Sequence, residues 1–227
     1  TYKHDVIPFW KKWLSWLAPL TLESGESALN PELSVALSKG RLQLLSGNAI
    51  YSWDDLYYNF TRLFETLDIR SRPQADVLLL GLGLGSVPYI LEKTYGRRYA
   101  YTAVEMDEMV ADMASRYALG RLKSPIEVIV ADALTFVEVC EQRFDMVIMD
   151  VFEDEITPPQ FETADFLERC MELLRPGGLF VYNRLANNEQ QKRETVRFFG
   201  RKFKDLSSDT AFLDTGGNWM LYAYKIQ

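Results

Sequence analysis

Between residues 76 and 183 the chain alternates between two textures. Five short, almost continuously apolar segments stand at 76–80 (DVLLL), 100–105 (AYTAVE), 126–130 (IEVIV), 145–150 (DMVIMD) and 179–183 (LFVYN). Between them lie stretches with apolar residues at helical spacing, at 86–95, 108–117, 133–142 and 163–174. A strand that is apolar all along its length has to be covered on both faces. This alternation therefore predicts an α/β chain of Rossmann-like type, a mostly parallel sheet with helices on either side. "RPGG" at 175–178 is expected to stop the fourth helix. A long helix at about 187–203 follows, then 210–214 (TAFLD), a Gly216–Gly217 turn and 219–225 (WMLYAYK). Those last segments read as a terminal hairpin that adds an antiparallel strand.

The first sixty residues have a different texture, and the division expected is 1–60 for a helix and a small β-hairpin element, 61–227 for the main domain. "LSVALSKGRLQLL" (33–45) alternates on both sides of Lys39-Gly40, a hairpin turn. Upstream, "PFWKKWLSWLAPL" (8–20) places Trp10, Trp13, Leu14 and Leu17 on one face of a short amphipathic helix. It lacks the small-residue pattern of a signal cleavage site. The expectation is a helix packed on the domain or on a second subunit; the alternative is a helix on a membrane surface.

Composition closes several routes. Of 227 residues 48% are hydrophobic, enough for one full core, and the net charge is −7 with no basic run, so nucleic acid is not an expected partner. No apolar run reaches the length of a membrane span. Cys140 and Cys170 lie far apart without a C-x-x-C pattern and read as buried thiols of a reducing, cytoplasmic protein. His4 is the single histidine, near a terminus, which argues against a histidine zinc site or a Ser–His–Asp triad; no metal is expected.

What the first apolar segment runs into carries the chemistry. "LLLGLGLGSVPYIL" (78–91) ends a strand in Gly81, Gly83 and Gly85 and turns helical near Ser86. Gly81 permits a sharp turn; Gly83 and Gly85 are read as letting a ligand approach the backbone. The second strand ends in Glu105, twenty residues after Gly85, where a carboxylate accepts hydrogen bonds from both ribose hydroxyls. The third ends at Asp132, read as an acceptor for an adenine amino group or as a helix N-cap, with Ala133 leaving room for the ring. The fourth ends at Asp150. Polar or acidic residues thus end four neighbouring strands, three of them acids, at the crevice where open α/β sheets bind ligands. The spacing is G-x-G-x-G, not the G-x-G-x-x-G of a dinucleotide site, which sets an NAD-dependent oxidoreductase aside. A nucleoside with a cationic sulfonium tail fits the acids: S-adenosylmethionine or decarboxylated S-adenosylmethionine.

Over residues 33 to 185 the chain resembles the spermidine/spermine synthase family, within the class I methyltransferase-like fold. The resemblance rests on "VLLLGLGLGS", "YTAVEMDEMV", "VIVADALTFV" and "FDMVIMDVFEDEITPPQFETADFLERCMELLRPGG", and on "SWDDLYYNF" (52–60) as the entry to the core. It implies a small N-terminal β domain, a seven-stranded core and a homodimer. It also implies cofactor binding at Gly81, Gly83, Gly85, Glu105, Asp132 and Asp150. The acceptor side departs from the family pattern. Leu84 stands where the family has an amine-gripping Asp; Tyr58, Asn59 and Phe60 stand for Tyr-His-Glu. Ile50 replaces a glutamine. Glu153 stands where the second Asp of D-x-x-D-P takes the proton from the attacking amine.

A leucine cannot bind an ammonium, so the first reading is a transferase that passes a methyl group to an unknown small acceptor. The alternatives are an aminopropyltransferase of polyamine biosynthesis and a non-catalytic nucleoside-binding protein of the same fold. Asp150 or Glu153 is the candidate base, and Tyr58 and Tyr182 are candidates to line the acceptor pocket. The acidic run Glu153, Asp154, Glu155 suits a cationic substrate. "TPPQF" (157–161) is read as a lid.

Overall fold

The computed structural model describes residues 7–47, 49–72, 75–153 and 156–226. His4, Asp154 and Glu155 lie outside the described residues.

The chain opens with helix α1 (Phe9–Leu14), then a four-stranded antiparallel sheet: β1 (Leu20–Gly25), β2 (Leu33–Ser38), β3 (Arg41–Ser46) and β4 (Ala49–Ser52), in that order. The β2–β3 turn falls at Lys39-Gly40, both at positive φ, as the hairpin reading requires. The segment between the helix and the hairpin, for which the sequence suggested no element, supplies β1, paired antiparallel with β2. Its alternation is irregular because the ladder shifts register between Thr21 and Glu23.

Helix α2 (Tyr58–Thr66) leads into the main sheet. Its elements are β5 (Asp76–Leu80), α3 (Ser86–Tyr89), β6 (Ala100–Glu105), α4 (Glu108–Met113), β7 (Ile126–Val130), α5 (Ala133–Val139) and β8 (Phe144–Met149). There follow α6 (Ala164–Glu172), β9 (Leu174–Leu185), α7 (Glu189–Phe198), β10 (Thr210–Asp214) and β11 (Asn218–Tyr224). The seven strands run in the order β10-β11-β9-β8-β5-β6-β7. The pairs β5–β6, β6–β7, β5–β8 and β8–β9 are parallel, and β11 is antiparallel to both β9 and β10. This is the methyltransferase-like α/β sheet with one reversed strand.

The apolar strands are explained by their two-sided burial. In β5, Val77 and Leu79 enter one core while Leu78 and Leu80 enter the other; β8 divides Met146 and Ile148 from Val147 and Met149 in the same way. Phe60, Leu63 and Phe64 of α2 cover the first face together with Leu33, Val35 and Leu44 of the small sheet. Phe166, Leu167 and Cys170 of α6 cover the second. Truncating one of these, such as Leu79→Ala, is expected to cost about 2–5 kcal/mol.

Helix starts follow the capping residues. Asp107, Asp132, Thr163 and Asn188 each accept a backbone N–H from the first turn of α4, α5, α6 and α7. "RPGG" does not follow the fourth helix as a separate stop: α6 ends at Glu172 and 175–178 already lie within β9. Arg175 holds this stretch to the sheet through Asp76 and Asp145, both at 2.8 Å. Cys140 and Cys170 are buried free thiols. Among the described residues no helix is long and apolar enough to cross a membrane.

Candidate active site

The carboxyl ends of β5, β6, β7 and β8 open into a cavity of about 730 Å³. Its other side is built by β4, by residues 29–30 and by the loop after β8. Of the residues singled out above, Gly81, Gly83, Glu105, Asp132, Ala133, Asp150 and Glu153 line it; Gly85, Tyr58 and Tyr182 do not.

Gly81 makes the turn. Its φ is +86°, and a Cβ there would stand 2.4 Å from the carbonyl oxygen of Asp150. Its N–H donates to Val104 at 2.9 Å, so the ends of β5, β6 and β8 are drawn together at one residue. Gly83 and Gly85 make room for the protein itself. A Cβ on Gly83 would press on Ser52 at 3.1 Å, and one on Gly85 on Leu119 at 2.9 Å. Gly83 thereby lets the end of β4 sit against the glycine loop, where Ser52 and Ser86 share a hydroxyl hydrogen bond of 2.7 Å.

Glu105 reaches back over this loop. Its Oε2 accepts from the N–H groups of Leu82 (3.1 Å) and Gly83 (3.2 Å), and its Oε1 from Asp107 N–H (3.1 Å). Burial raises its carboxyl above the ordinary range, against the pull of these three donors. Asp107 caps α4 through Oδ1, and its Oδ2 accepts from Ser27 and Asn30, which pins the 26–32 segment over the cavity. Asp132 is an N-cap: Oδ1 accepts from the Thr135 N–H at 2.8 Å and its hydroxyl at 2.9 Å. Both described bonds fall on Oδ1, which leaves Oδ2 to accept from a ligand. The two readings of Asp132, cap and ligand acceptor, are thus compatible.

Asp150 is the most perturbed carboxyl of the cavity. It sits just past β8, and its Oδ1 accepts from Asn183 Nδ2 (2.7 Å) and from the Tyr57 hydroxyl (3.2 Å). Asn183 is 1% exposed, and its own Oδ1 accepts from Asn218 Nδ2 at 2.9 Å, which fixes the amide with its NH2 toward Asp150. Burial pushes Asp150 up to about 7, with Glu105 adding repulsion and the two donors opposing. Both donors land on Oδ1, so Oδ2 has the free lone pairs and is where a proton would be taken up. Burial and the Asp150 charge push the Tyr57 hydroxyl well above its usual range, so it stays a donor.

The loop side differs from the sequence-based reading. Tyr58 is 62% exposed; the tyrosine that reaches the cavity is its neighbour, Tyr57. Tyr182 is fully buried, edge-on to Phe180 and Phe203 and tilted against Phe198, and its hydroxyl donates to the Phe161 carbonyl at 3.1 Å. It packs beneath the loop instead of lining the pocket. Glu153 lies on the exposed rim, its N–H and carbonyl paired with Ile156. The acidic pair Asp54–Asp55 is occupied by arginines. Asp54 is buried and holds Arg121 at 2.6 and 2.9 Å as well as the Leu42 N–H, while Asp55 holds Arg41. Leu84 is buried in the core, outside the cavity lining.

Sequence reasoning missed Tyr57, Asn183, Asn218 and Asp107. Asn183 carried a usable signal, since it is the polar end of an apolar strand like Glu105 and Asp150. Asn218 comes from the terminal hairpin and reaches the site only through the β9–β11 pairing.

Fold and site define a class I methyltransferase-like protein with an acid-lined crevice at the carboxyl ends of its parallel strands. The spermine/spermidine synthase domain matches residues 75–214, and the chain belongs to that family. It is 31% identical over 144 residues to an eEF1A lysine and N-terminal methyltransferase homolog of Drosophila pseudoobscura pseudoobscura, covering 60% of this chain and 21% of that protein. It is 26% identical over 147 residues to a polyamine aminopropyltransferase of Vibrio vulnificus, covering 63% and 48%. The chain thus spans between about a fifth and a half of the length of these curated relatives. Both relatives are transferases by name. A spermidine synthase solved with the transition-state analogue AdoDATO superposes with a TM-score of 0.68 at 17% identity, over 91% of this chain and 74% of that one.

Proposed function

We propose that the protein is a transferase that binds S-adenosylmethionine and passes its methyl group to a small amine-bearing acceptor, with Asp150 as the base. The observation that carries this is the charge of the cavity. Among the described residues that line it, the charged ones are Glu105, Asp107, Asp132, Asp150 and Glu153, with no lysine or arginine. Such a lining favours cationic ligands and disfavours nucleotides with phosphates. The volume suits a nucleoside plus a small acceptor.

Glu105 and the free Oδ2 of Asp132 are the groups available to a ribose and an adenine amino group, and Ala133 leaves space beside them. The cofactor's sulfonium makes its methyl carbon electrophilic. An acceptor ammonium has to lose a proton before its nitrogen can attack, and Asp150 Oδ2 takes that proton. With a carboxyl near 7 the base is half ionised at neutral pH, which suits proton transfer in either direction. Asn183 and Tyr57, both on Oδ1, keep the carboxylate turned so that Oδ2 stays available.

Methyl transfer is preferred to aminopropyl transfer because Leu84, a core residue, stands where the family pattern has its amine-gripping Asp. The methyltransferase homolog is also the relative of higher identity reported above. A second reading, aminopropyl transfer from decarboxylated S-adenosylmethionine, has its own support. Among the described residues no cationic side chain lines the cavity to pair with the methionine carboxylate, and the Leu82 and Gly83 N–H groups already serve Glu105. Calorimetric titration with both cofactor forms separates the two. Tighter binding of the carboxylated form is expected; tighter binding of the decarboxylated form would transfer the proposal to aminopropyl chemistry. Binding of both without turnover on any amine would leave a nucleoside-binding protein.

A further inference from the structure

Helix α1 is mounted with its apolar arc facing outward. At 3.6 residues per turn, Phe9, Trp10, Trp13 and Leu17 share one side of the helix and its continuing turn, and Ser15 lies on the other. Ser15 faces the protein. Its hydroxyl accepts from the Gly40 N–H at 2.8 Å, and its carbonyl accepts from the Lys39 N–H at 2.9 Å, so polar bonds to the β2–β3 turn hold the helix in place. The apolar side chains point away: Phe9 is 75% exposed, Trp13 71% and Leu17 85%, and no residue of the helix is buried. The expectation that this face packs on the domain is therefore not met.

So short a helix has little stability of its own in water, and an exposed face carrying Phe9, Trp10, Trp13 and Leu17 marks an interaction site. The charges identify what it fits. From residue 7 to residue 22 the only charged side chains are Lys11 and Lys12, in a chain of net charge −7. Both lysines flank Ser15 on the helix, at the border of the apolar arc, and Lys39 stands in the turn beneath. Tryptophan bodies under a rim of lysine ammonium groups match the boundary between acyl chains and anionic headgroups. A second copy fits less well, since a two-fold pairing of α1 would set Lys11 and Lys12 against their own counterparts.

We propose that α1 and the turn after it form a peripheral docking surface for an anionic lipid bilayer. The aromatic arc inserts at headgroup depth while the acidic body stays in solution. The bound state is reversible, because four apolar side chains and two lysines make a weak anchor.

The test is sedimentation of the purified chain with vesicles, read together with tryptophan emission. Three of the five tryptophans (Trp10, Trp13, Trp16) lie on this segment. Binding to vesicles of phosphatidylcholine mixed with phosphatidylserine, but not to phosphatidylcholine alone, is expected, with a blue shift in emission and release by salt. Changing both Lys11→Gln and Lys12→Gln is expected to weaken partitioning roughly thirty-fold, about fivefold per lysine. Trp13→Ser, at an exposed position that leaves the melting temperature unchanged, should abolish the emission shift. Failure to bind the mixed vesicles, or equal binding with and without the lysines, would overturn the proposal. So would a stable dimer in solution that Trp13→Ser dissociates, since the face would then belong to a second copy.

Discussion

The two walls of the cavity are built by different means. The glycine-loop wall stands on the ends of four adjacent strands, where Gly81, Glu105, Asp132 and Asp150 each follow directly from an apolar run. The opposite wall is assembled from β4, Tyr57, Asn218 and the loop after β8, which are far apart in sequence and meet only in the folded chain. The first wall is fixed by regular backbone; the second depends on how the small sheet seats on the large one through Asp54–Arg121 and Ser52–Ser86. Of the departures from the family pattern, Ile50 and Glu153 fall on the second wall, while Leu84 and Phe60 are core residues and Tyr58 is exposed.

The harshest way to test that division is Asp150→Asn, at the corner where the walls meet. Transfer is expected to fall by about 10²–10⁴-fold, measured as isotope transfer to an amine acceptor; a wild-type rate would remove Asp150 as base and leave Glu153. The same variant has a stability signature. Asp150 titrates near 7 in the folded chain but at its ordinary 3.8 when unfolded, so the folded state holds the extra proton between these values. Stability from this group is fully present below about 4 and is lost as pH rises toward 7, by at most about 4 kcal/mol. Denaturant unfolding of wild type and variant should therefore diverge with rising pH, the variant becoming the more stable. Parallel curves would mean that burial does not hold the proton there.

Next in size is Gly81→Ala, which strikes the glycine-loop wall alone. Its positive φ and the 2.4 Å approach to Asp150 leave no room for a methyl group. A loss of about 3 kcal/mol is expected, which at this chain length lowers the melting temperature by roughly 6–12 °C. An unchanged melting curve would show that the ends of β5 and β8 can move apart freely.

Asp132 separates cap from ligand contact. Asp132→Ala should cost about 1 kcal/mol of stability and also weaken adenosyl binding. Asp132→Ser should restore the cap but not the affinity. If serine restores both, the residue acts as a cap only. The smallest effects concern the tyrosines. Tyr57→Phe removes one donor from Asp150 and should raise its titration midpoint by up to about one unit, followed by carboxyl-carbon NMR. Tyr58→Ala should change stability by less than about 0.5 kcal/mol and leave that midpoint in place. The reverse outcome would restore the tyrosine that the sequence singled out.

How far the sequence could be read follows the same division. The bounds of β5 and β6 coincide with the apolar runs, because two-sided burial leaves no other composition for a central strand; those of β7 and β10, at the two edges of the sheet, coincide as well although both strands are only half-buried. The acids at the strand ends were legible for the same reason. Tyr57 was not, because counting from the acidic pair selects Tyr58. Asp54 at φ +37° and Tyr57 at ψ +71° bend the chain ahead of α2 and turn the earlier ring inward. Tyr182 misled because an aromatic in a strand two residues past Phe180 shares its face, and that face is core. The amphipathic pattern of α1 was correct, but periodicity does not say which side faces the protein; a pair of hydrogen bonds that Ser15 accepts from Lys39 and Gly40 decides that.

The central claim is that Glu105, which ends β6 and accepts from the glycine loop, is part of an adenosyl-sulfonium site. Calorimetric titration of wild type and Glu105→Ala with S-adenosylmethionine tests it most directly. Binding by the wild type is expected, with at least about tenfold weaker binding by the variant. Equal affinity in the two proteins, or no binding of S-adenosylmethionine or its decarboxylated form by the wild type, would contradict it.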